Sequence, residues 1–197
     1  MASVWSIGAD YPQSRMADYD EVASGLARHD LQPLNSRIDC DLLHFAMSTT
    51  VAPDKIVAEY GVLWTNILVP LVNRDIYAVI TARAGGWDVQ FIPVVVKVGK
   101  AFLKDYFLLN PTKRVDAVDQ NKSIPRIYKT PGFPDARMGY ERMVLRSDFP
   151  AWGIGRQHDA LSQIVVGDEL AAAITARTKN GVSLILEVRS ATGKRVG

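Results

Sequence analysis

The sequence predicts an α+β fold, a mixed β-sheet with flanking helices, and three observations carry that expectation. Strand-like apolar runs recur at 67–72, 88–98, 105–109 and 163–166, the second of them rich in β-branched residues. Two of these runs lead directly into Ala- and Ile-rich segments with helical spacing. Those two segments also align with each other. Residues 70–83 match residues 164–177 without a gap, sharing Val72 with Val166, Ala78 with Ala172, and the tetrapeptide Ile-Thr-Ala-Arg that ends at Arg83 and again at Arg177. Each copy reads as a strand-helix-strand unit with a parallel, right-handed crossover.

Taken in order, the elements have local causes. Residues 3–7 read as a strand, followed by a hairpin or short helices in an irregular stretch that reaches residue 60. Asn73 is the expected N-cap of the first helix, because its side-chain oxygen can accept from the free N–H groups there. Ile76, Val79, Ile80 and Arg83 follow at helical spacing, and Gly85-Gly86 offers a positive-φ stop before a strand resumes at Trp87. The runs 88–98 and 105–109 flank Gly99-Lys100 and suggest a hairpin. Pro93 has no N–H to give, which predicts an edge or a bulge. Residues 110–148, with Pro111, Pro125, Pro131 and Pro134, read as a long loop in which only 138–145 has strand-like content. In the second unit, 163–166 is the strand, Asp168 and Glu169 favour a helix start, and Leu170 with Ile174 forms the buried stripe. Asn180-Gly181 should close that helix before a last strand at 182–188.

Composition bounds the function. A chain of 197 residues and 21.7 kDa suits a single domain spanning 1–197. At 48% hydrophobic and 22% charged residues it belongs with globular proteins, not with disordered chains, collagens or coiled coils. No apolar run approaches the roughly 18 residues of a spanning helix, and residues 1–10 lack the pattern of a signal peptide. The single cysteine, Cys40, suits a reducing compartment. The expected location is cytoplasmic, with no membrane association.

The net charge of +2 hides an asymmetry. Residues 1–90 carry six Lys and Arg against eleven Asp and Glu, whereas 91–197 carry seventeen against ten. The cations of the basic half are scattered singly, without a block or interleaved aromatics, so no nucleic-acid partner is expected. His29, His44 and His158 are too dispersed for a zinc site, and Cys40 with His44 supplies only two ligands. His158, Asp159 and Ser162 are neighbours without a nucleophile-elbow motif, and Gly153-Ile-Gly155 lacks the rest of a dinucleotide fingerprint. Neither a cofactor nor a metal is expected. The carboxylates Asp116 and Asp119 read as turn residues that accept backbone N–H bonds.

A set of segments in order gives the strongest functional pointer. These are Asp88-Val-Gln-Phe-Ile-Pro-Val94, Tyr106-Phe-Leu-Leu-Asn110, Val115-Asp-Ala-Val-Asp119 with Ser123, Met143-Val-Leu145, and Ile164-Val-Val-Gly-Asp-Glu-Leu170 with Asn180-Gly-Val182. Their order and spacing resemble the eleventh class of bacterial polymorphic-toxin immunity proteins, a family first described from a myxobacterial protein. The resemblance spans about 65–188, and Val-Asp-x-Val-Asp with the downstream serine is its most specific part. The chain departs from the family at Ser183-Leu-Ile-Leu-Glu187, where an aromatic and a proline would be expected, and residues 1–60 match no part of it.

The resemblance implies a small antidote that binds a cognate secreted toxin stoichiometrically, without catalysis, and it supplies no catalytic residues. Toxins that attack nucleic acid are basic around their active sites, so an acidic surface would suit such a partner. The densest acidic cluster is Asp18, Tyr19, Asp20 and Glu21, with Asp10 and Tyr11 upstream. Tyrosines there could supply buried anchor area and carboxylates could supply steering. Tyr128 and Phe133, in the proline-rich stretch, form a competing contact surface. Two other readings stand beside this one: a small-molecule enzyme using Asp116, Asp119 and His158, and an adaptor or chaperone for a secreted effector.

Overall fold

The computed structural model describes residues 2–6, 11–31, 36–85, 87–128, 136–180, 183–185 and 187–189. In chain order, β1 is Ala2–Ser6, β2 Asp18–Tyr19, α1 Glu21–Ser24, β3 Leu43–Met47, α2 Pro53–Glu59, β4 Val62–Trp64, β5 Pro70–Asn73, α3 Arg74–Arg83, β6 Val89–Val98 and β7 Ala101–Pro111. There follow β8 Arg114–Val115, β9 Ile124–Tyr128, β10 Ala136–Val144, β11 Ile154–Gln157, β12 Ala160–Gly167, α4 Asp168–Thr175, β13 Ser183–Ile185 and β14 Glu187–Arg189. The strands form a six-stranded sheet (β2-β3-β6-β7-β5-β4), a five-stranded sheet (β13-β1-β12-β11-β8) and a three-stranded sheet (β14-β10-β9). With four helices against mixed sheets, the fold is α+β.

Both strand-helix-strand units are present, and they share a topology. Strands β5 and β6, joined by α3, each pair antiparallel with β7, so they run parallel to each other with β7 between them. Strands β12 and β13, joined by α4, each pair antiparallel with β1, so they too run parallel around an inserted strand. The inserted strand is local in the first unit. In the second it comes from the far end of the chain.

The two helices begin differently for a physical reason. Asn73 Oδ1 accepts from the Ile76 N–H at 3.0 Å, as its capping role requires. Its counterpart in the second copy is Gly167, which has no side chain to offer. There the matched amide, Leu170 N–H, donates instead to the carbonyl of Ala151 at 3.1 Å. A Cβ on Gly167 would sit 2.1 Å from the Pro150 carbonyl oxygen and 2.3 Å from that of Ala151. The loop carbonyl therefore takes the place of a capping side chain, and only glycine lets it come close enough.

The matched apolar positions meet in one core. Val72, Ile76 and Ile80 of the first copy and Val166, Leu170 and Ile174 of the second are all buried, and they cluster with Trp5, Trp64 and Ile164. Helices α3 and α4 touch within this layer, between the six- and five-stranded sheets. The opposite face of the six-stranded sheet packs Phe45, Val94, Val96 and Leu108 with Ile56 of α2. The opposite face of the five-stranded sheet packs Val4 and Val165 with Tyr140 and Met143 of β10.

Arg156 joins the layers. Its side chain is 1% exposed, yet Nε donates to the Pro111 carbonyl at 3.0 Å and Nη2 to Asn110 Oδ1 at 3.4 Å. Burial lowers its pKa to about 10, which leaves it protonated at neutral pH. Asn110 Nδ2 in turn donates to Ser36 O at 2.9 Å, and Gln90 exchanges bonds with both backbone groups of Ile38.

Several expectations are corrected. Helix α3 ends at Ala84 with φ −100°, and among the described glycines only Gly25 and Gly99 have positive φ, so Gly85 is not the left-handed stop; Gly86 lies outside the described residues. The strand after α3 starts at Val89, because Trp87 N–H is still engaged by the Ala84 carbonyl. Helix α4 ends at Thr175, short of Asn180, whose N–H bonds to Glu59 O. The last strand is two strands in different sheets, β13 and β14, while Gly181 and Val182 lie outside the described residues. Pro93 sits in an interior strand, but β3 begins to pair only at Val94, so that flank has no neighbour at the proline, and the bulge falls one step later, between Val94 and Val96. The long-loop expectation for 110–148 fails most visibly, since β9 and β10 form a hairpin there. Ile124, Pro125, Arg126 and Ile127 are all exposed, which erases the alternation that would have marked a strand.

The cap substitution makes a sharp prediction. Gly167→Ala should destabilise the fold by about 3 kcal/mol or more, because backbone must move to admit the methyl group, whereas Asn73→Ala should cost only about 1 kcal/mol. Chemical denaturation of both variants checks the order; equal losses would mean the loop over Gly167 is not rigidly held.

Candidate partner-binding surfaces

The acidic segment is held by short-range bonding. Asp20 ends the approach to α1, and its Oδ1 accepts from Ala23 N–H at 3.0 Å, with Gly25 at φ 65° closing this four-residue helix. Asp18, Asp20 and Glu21 are exposed, Glu21 lies 3.7 Å from Arg28, and Val22 beside them is 93% exposed. The carboxylates are therefore presented to solvent around an apolar side chain.

Of the tyrosines of this segment, Tyr19 is turned away from the surface and Tyr11 is half-buried. Tyr19 is buried: alternation along β2 turns it inward, its ring packs on Phe45, and its hydroxyl donates to the Leu26 carbonyl at 2.7 Å. Tyr11 packs edge-on against Tyr60, donates to Arg15 O at 2.8 Å and accepts from Trp64 N–H at 3.1 Å. Burial raises the pKa of both hydroxyls. Asp10, Phe133 and the Tyr128 side chain lie outside the described residues.

Among the described residues no hydrogen bond or ion pair joins the carboxylates and histidine of the enzyme reading, although His158 N–H bonds to the carbonyl of Val115, next to Asp116. Asp119 Oδ1 accepts from Asn121 N–H at 3.1 Å and its other oxygen pairs with Lys122 Nζ at 3.0 Å. Its backbone N–H donates to Val144 O, and Ser123 Oγ both donates to that carbonyl and accepts from Val144 N–H. Val115 and Val118 are buried, and Val118 bridges to Leu145. Asp119 thus fulfils the turn role expected of it. Asp116 does not: it is exposed, makes no backbone bond, and acts only as one of the charges raising the pKa of Arg146, after Asp148. His158 is exposed, with its backbone N–H on Val115 O, and no hydrogen bond or ion pair joins it to Asp116 or Asp119. Among the described residues no group of three His, Cys, Asp or Glu side chains could hold a metal ion. Cys40 Sγ donates to Leu42 O at 3.0 Å.

One polar network had no signal in the sequence. Gln157, fully buried, accepts from Ala117 N–H at 3.0 Å and donates to Asp159 Oδ1 at 2.8 Å. The Tyr140 hydroxyl donates to Asp159 Oδ2 and accepts from Gln120 Nε2 at 2.9 Å. The network ties β10 to the turn between β11 and β12, and its members come from three separate stretches of the chain, 117–120, 140 and 157–159. No spacing rule could find it.

Clefts open on the described surface. One, of about 450 Å³, is walled by aromatic rings, with Tyr77 stacked on Phe107 at 4.6 Å and edge-on to Phe91 at 4.8 Å. Another lies between α3 and α4. No helix of the described residues is long and apolar enough to cross a membrane. No protein-family model matches the chain, and no curated protein is matched by it. The resemblance to immunity proteins rests on residue order alone.

Two measurements check these assignments. Tyr140→Phe should lower stability by about 1 to 2 kcal/mol through loss of the bond to Asp159; an unchanged denaturation midpoint would show the contact to be idle. For Asp119, the Lys122 ammonium that bonds it, helped by the Asn121 amide, holds the carboxyl below its ordinary pKa. The stability this contributes is present above the ordinary carboxylate range, near pH 4, and is lost as pH falls through the lowered value. The stability gap between parent and Asp119→Asn should therefore be full at neutral pH and close in acid; a gap independent of pH would assign it to packing.

Proposed function

We propose that this protein is a cytoplasmic immunity-type antidote that binds a cognate secreted toxin stoichiometrically and does no chemistry of its own. The observation that carries this reading concerns its most specific segment. In Val115-Asp-Ala-Val-Asp119 with Ser123, the polar groups of Asp119 and Ser123 are engaged with Lys122, Asn121 and Val144, and the valines are buried. A segment spent on architecture suits a family defined by its scaffold, with recognition left to variable surface. The enzyme reading draws no support from hydrogen bonding, since no bond or ion pair joins Asp116, Asp119 and His158 among the described residues.

The surface that fits a basic toxin is the α1 region. Asp18, Asp20 and Glu21 supply steering charge, and the protruding Val22 supplies an apolar contact in their midst. The direct test is coexpression with the C-terminal domain of the secreted protein encoded beside this one. A one-to-one complex that silences the domain is expected; a domain that stays active with this protein in excess overturns the reading.

The contact surface has its own test. Asp18→Lys with Glu21→Lys leaves the capping Asp20 in place and should slow association by about tenfold at low salt, with the difference shrinking as salt rises. An association rate unaltered at both salt concentrations would move the toxin to another face.

A further inference from the structure

The repeated tetrapeptide is a sequence feature that the toxin-binding reading does not use. Because α3 and α4 pack together in the shared core, matched positions of the two copies face a single cleft. Val79 and Ala173, Ala82 and Ala176, and Arg83 and Arg177 are three such pairs, and all six residues line it, beside Trp152. The cleft has a volume of about 680 Å³, within the range of ligand-binding pockets.

Its two cations are held in position. The Arg83 guanidinium lies over the Trp152 ring, 5.3 Å from the centroid, and Arg177 Nη1 donates to the Ala173 carbonyl at 2.7 Å. Both arginines are exposed, and among the described residues neither meets a carboxylate within ion-pair distance, unlike Arg37, Arg74 and Arg146, which do. One acid, Asp75, lines the same cleft. The result is a floor of small apolar side chains under two oriented guanidiniums with a net positive charge.

We propose that this cleft docks an acidic segment of a partner protein, with an apolar side chain seated on the floor from Val79, Ala82, Ala173 and Ala176 and carboxylates set on Arg83 and Arg177. Guanidinium geometry favours carboxylate through paired N–H donors, and orientation by Trp152 and by Ala173 lowers the entropy lost on binding. A nucleic acid would use the cations but leave the apolar floor without a function. The occupant is chemically opposite to the basic surface expected against α1, so the two sites do not compete.

The test uses the intact protein and a fluorescent peptide of about ten residues alternating glutamate and leucine, with a lysine-for-glutamate peptide as control. Saturable binding of the acidic peptide alone, weakening with salt, is expected. Arg83→Glu with Arg177→Glu should weaken it about tenfold or more. Ala82→Trp, which fills the cleft without changing charge, should also weaken it, and decides the matter if the double variant melts early. The proposal is overturned if the acidic peptide does not saturate, if the folded variants bind it as the parent does, or if a single-stranded oligonucleotide displaces it at lower concentration. Such a failure leaves the toxin-binding reading standing, since that reading is tested at Asp18 and Glu21.

Discussion

The guanidinium of Arg156 is the interaction on which the layered arrangement depends. Taking a cation out of water is expensive, on the order of several kcal/mol even after relaxation, and the fold recovers that cost through hydrogen bonds at the end of β7. Pro111 and Asn110, which receive those bonds, end β7 of the six-stranded sheet, while Arg156 itself belongs to the five-stranded one. Asn110 then reaches Ser36 and Gln90, and Gln90 fixes Ile38, so a single buried charge organises three otherwise unrelated backbone segments. Apolar contacts alone would let the sheets slide. Directional bonds to a fixed fork set how they meet.

Within that frame the molecule uses one idea twice. Each crossover leaves a gap one strand wide, and each gap is filled by an antiparallel strand, β7 in one case and β1 in the other. The helices lie back to back, so residues at matched positions share one core and one cleft. Differences between the copies are as telling as the likenesses. Where the first helix has asparagine at its start, the second has glycine and borrows a carbonyl from 150–151. The same loop carries Trp152 to Arg83 on the first helix, and so spans both copies.

The parts legible in the sequence were those with local causes. Helical spacing around Ile76 and Ile80, the Asn73 cap and the Gly99 turn each depend on neighbours within a few positions, and each is where it was expected. The larger errors involve distance. The carbonyl of Ala151 that meets the start of α4 comes from a loop no local pattern points to. Tyr19 sits among carboxylates, a solvent-like context, yet a two-residue strand turns its ring into the core. In strand β9 residues 124–127 are all exposed, so hydrophobic alternation could not reveal it. For the candidate surfaces, the exposure of Asp18, Asp20 and Glu21 was readable from charge, whereas the pairing of Arg83 with Arg177 needed the packing of two helices far apart in the chain.

The position of β1 has a consequence for biosynthesis. Residues 2–6 lie between strands made of residues 160–167 and 183–185, so the five-stranded sheet cannot close until most of the chain has left the ribosome. Until those strands are made, β1 has neither neighbour, and its apolar residues Val4 and Trp5 wait exposed. Pairings of such long sequence separation also slow folding after release. β1 is thus open to chaperones and proteases until residues 183–185 are available to pair with it.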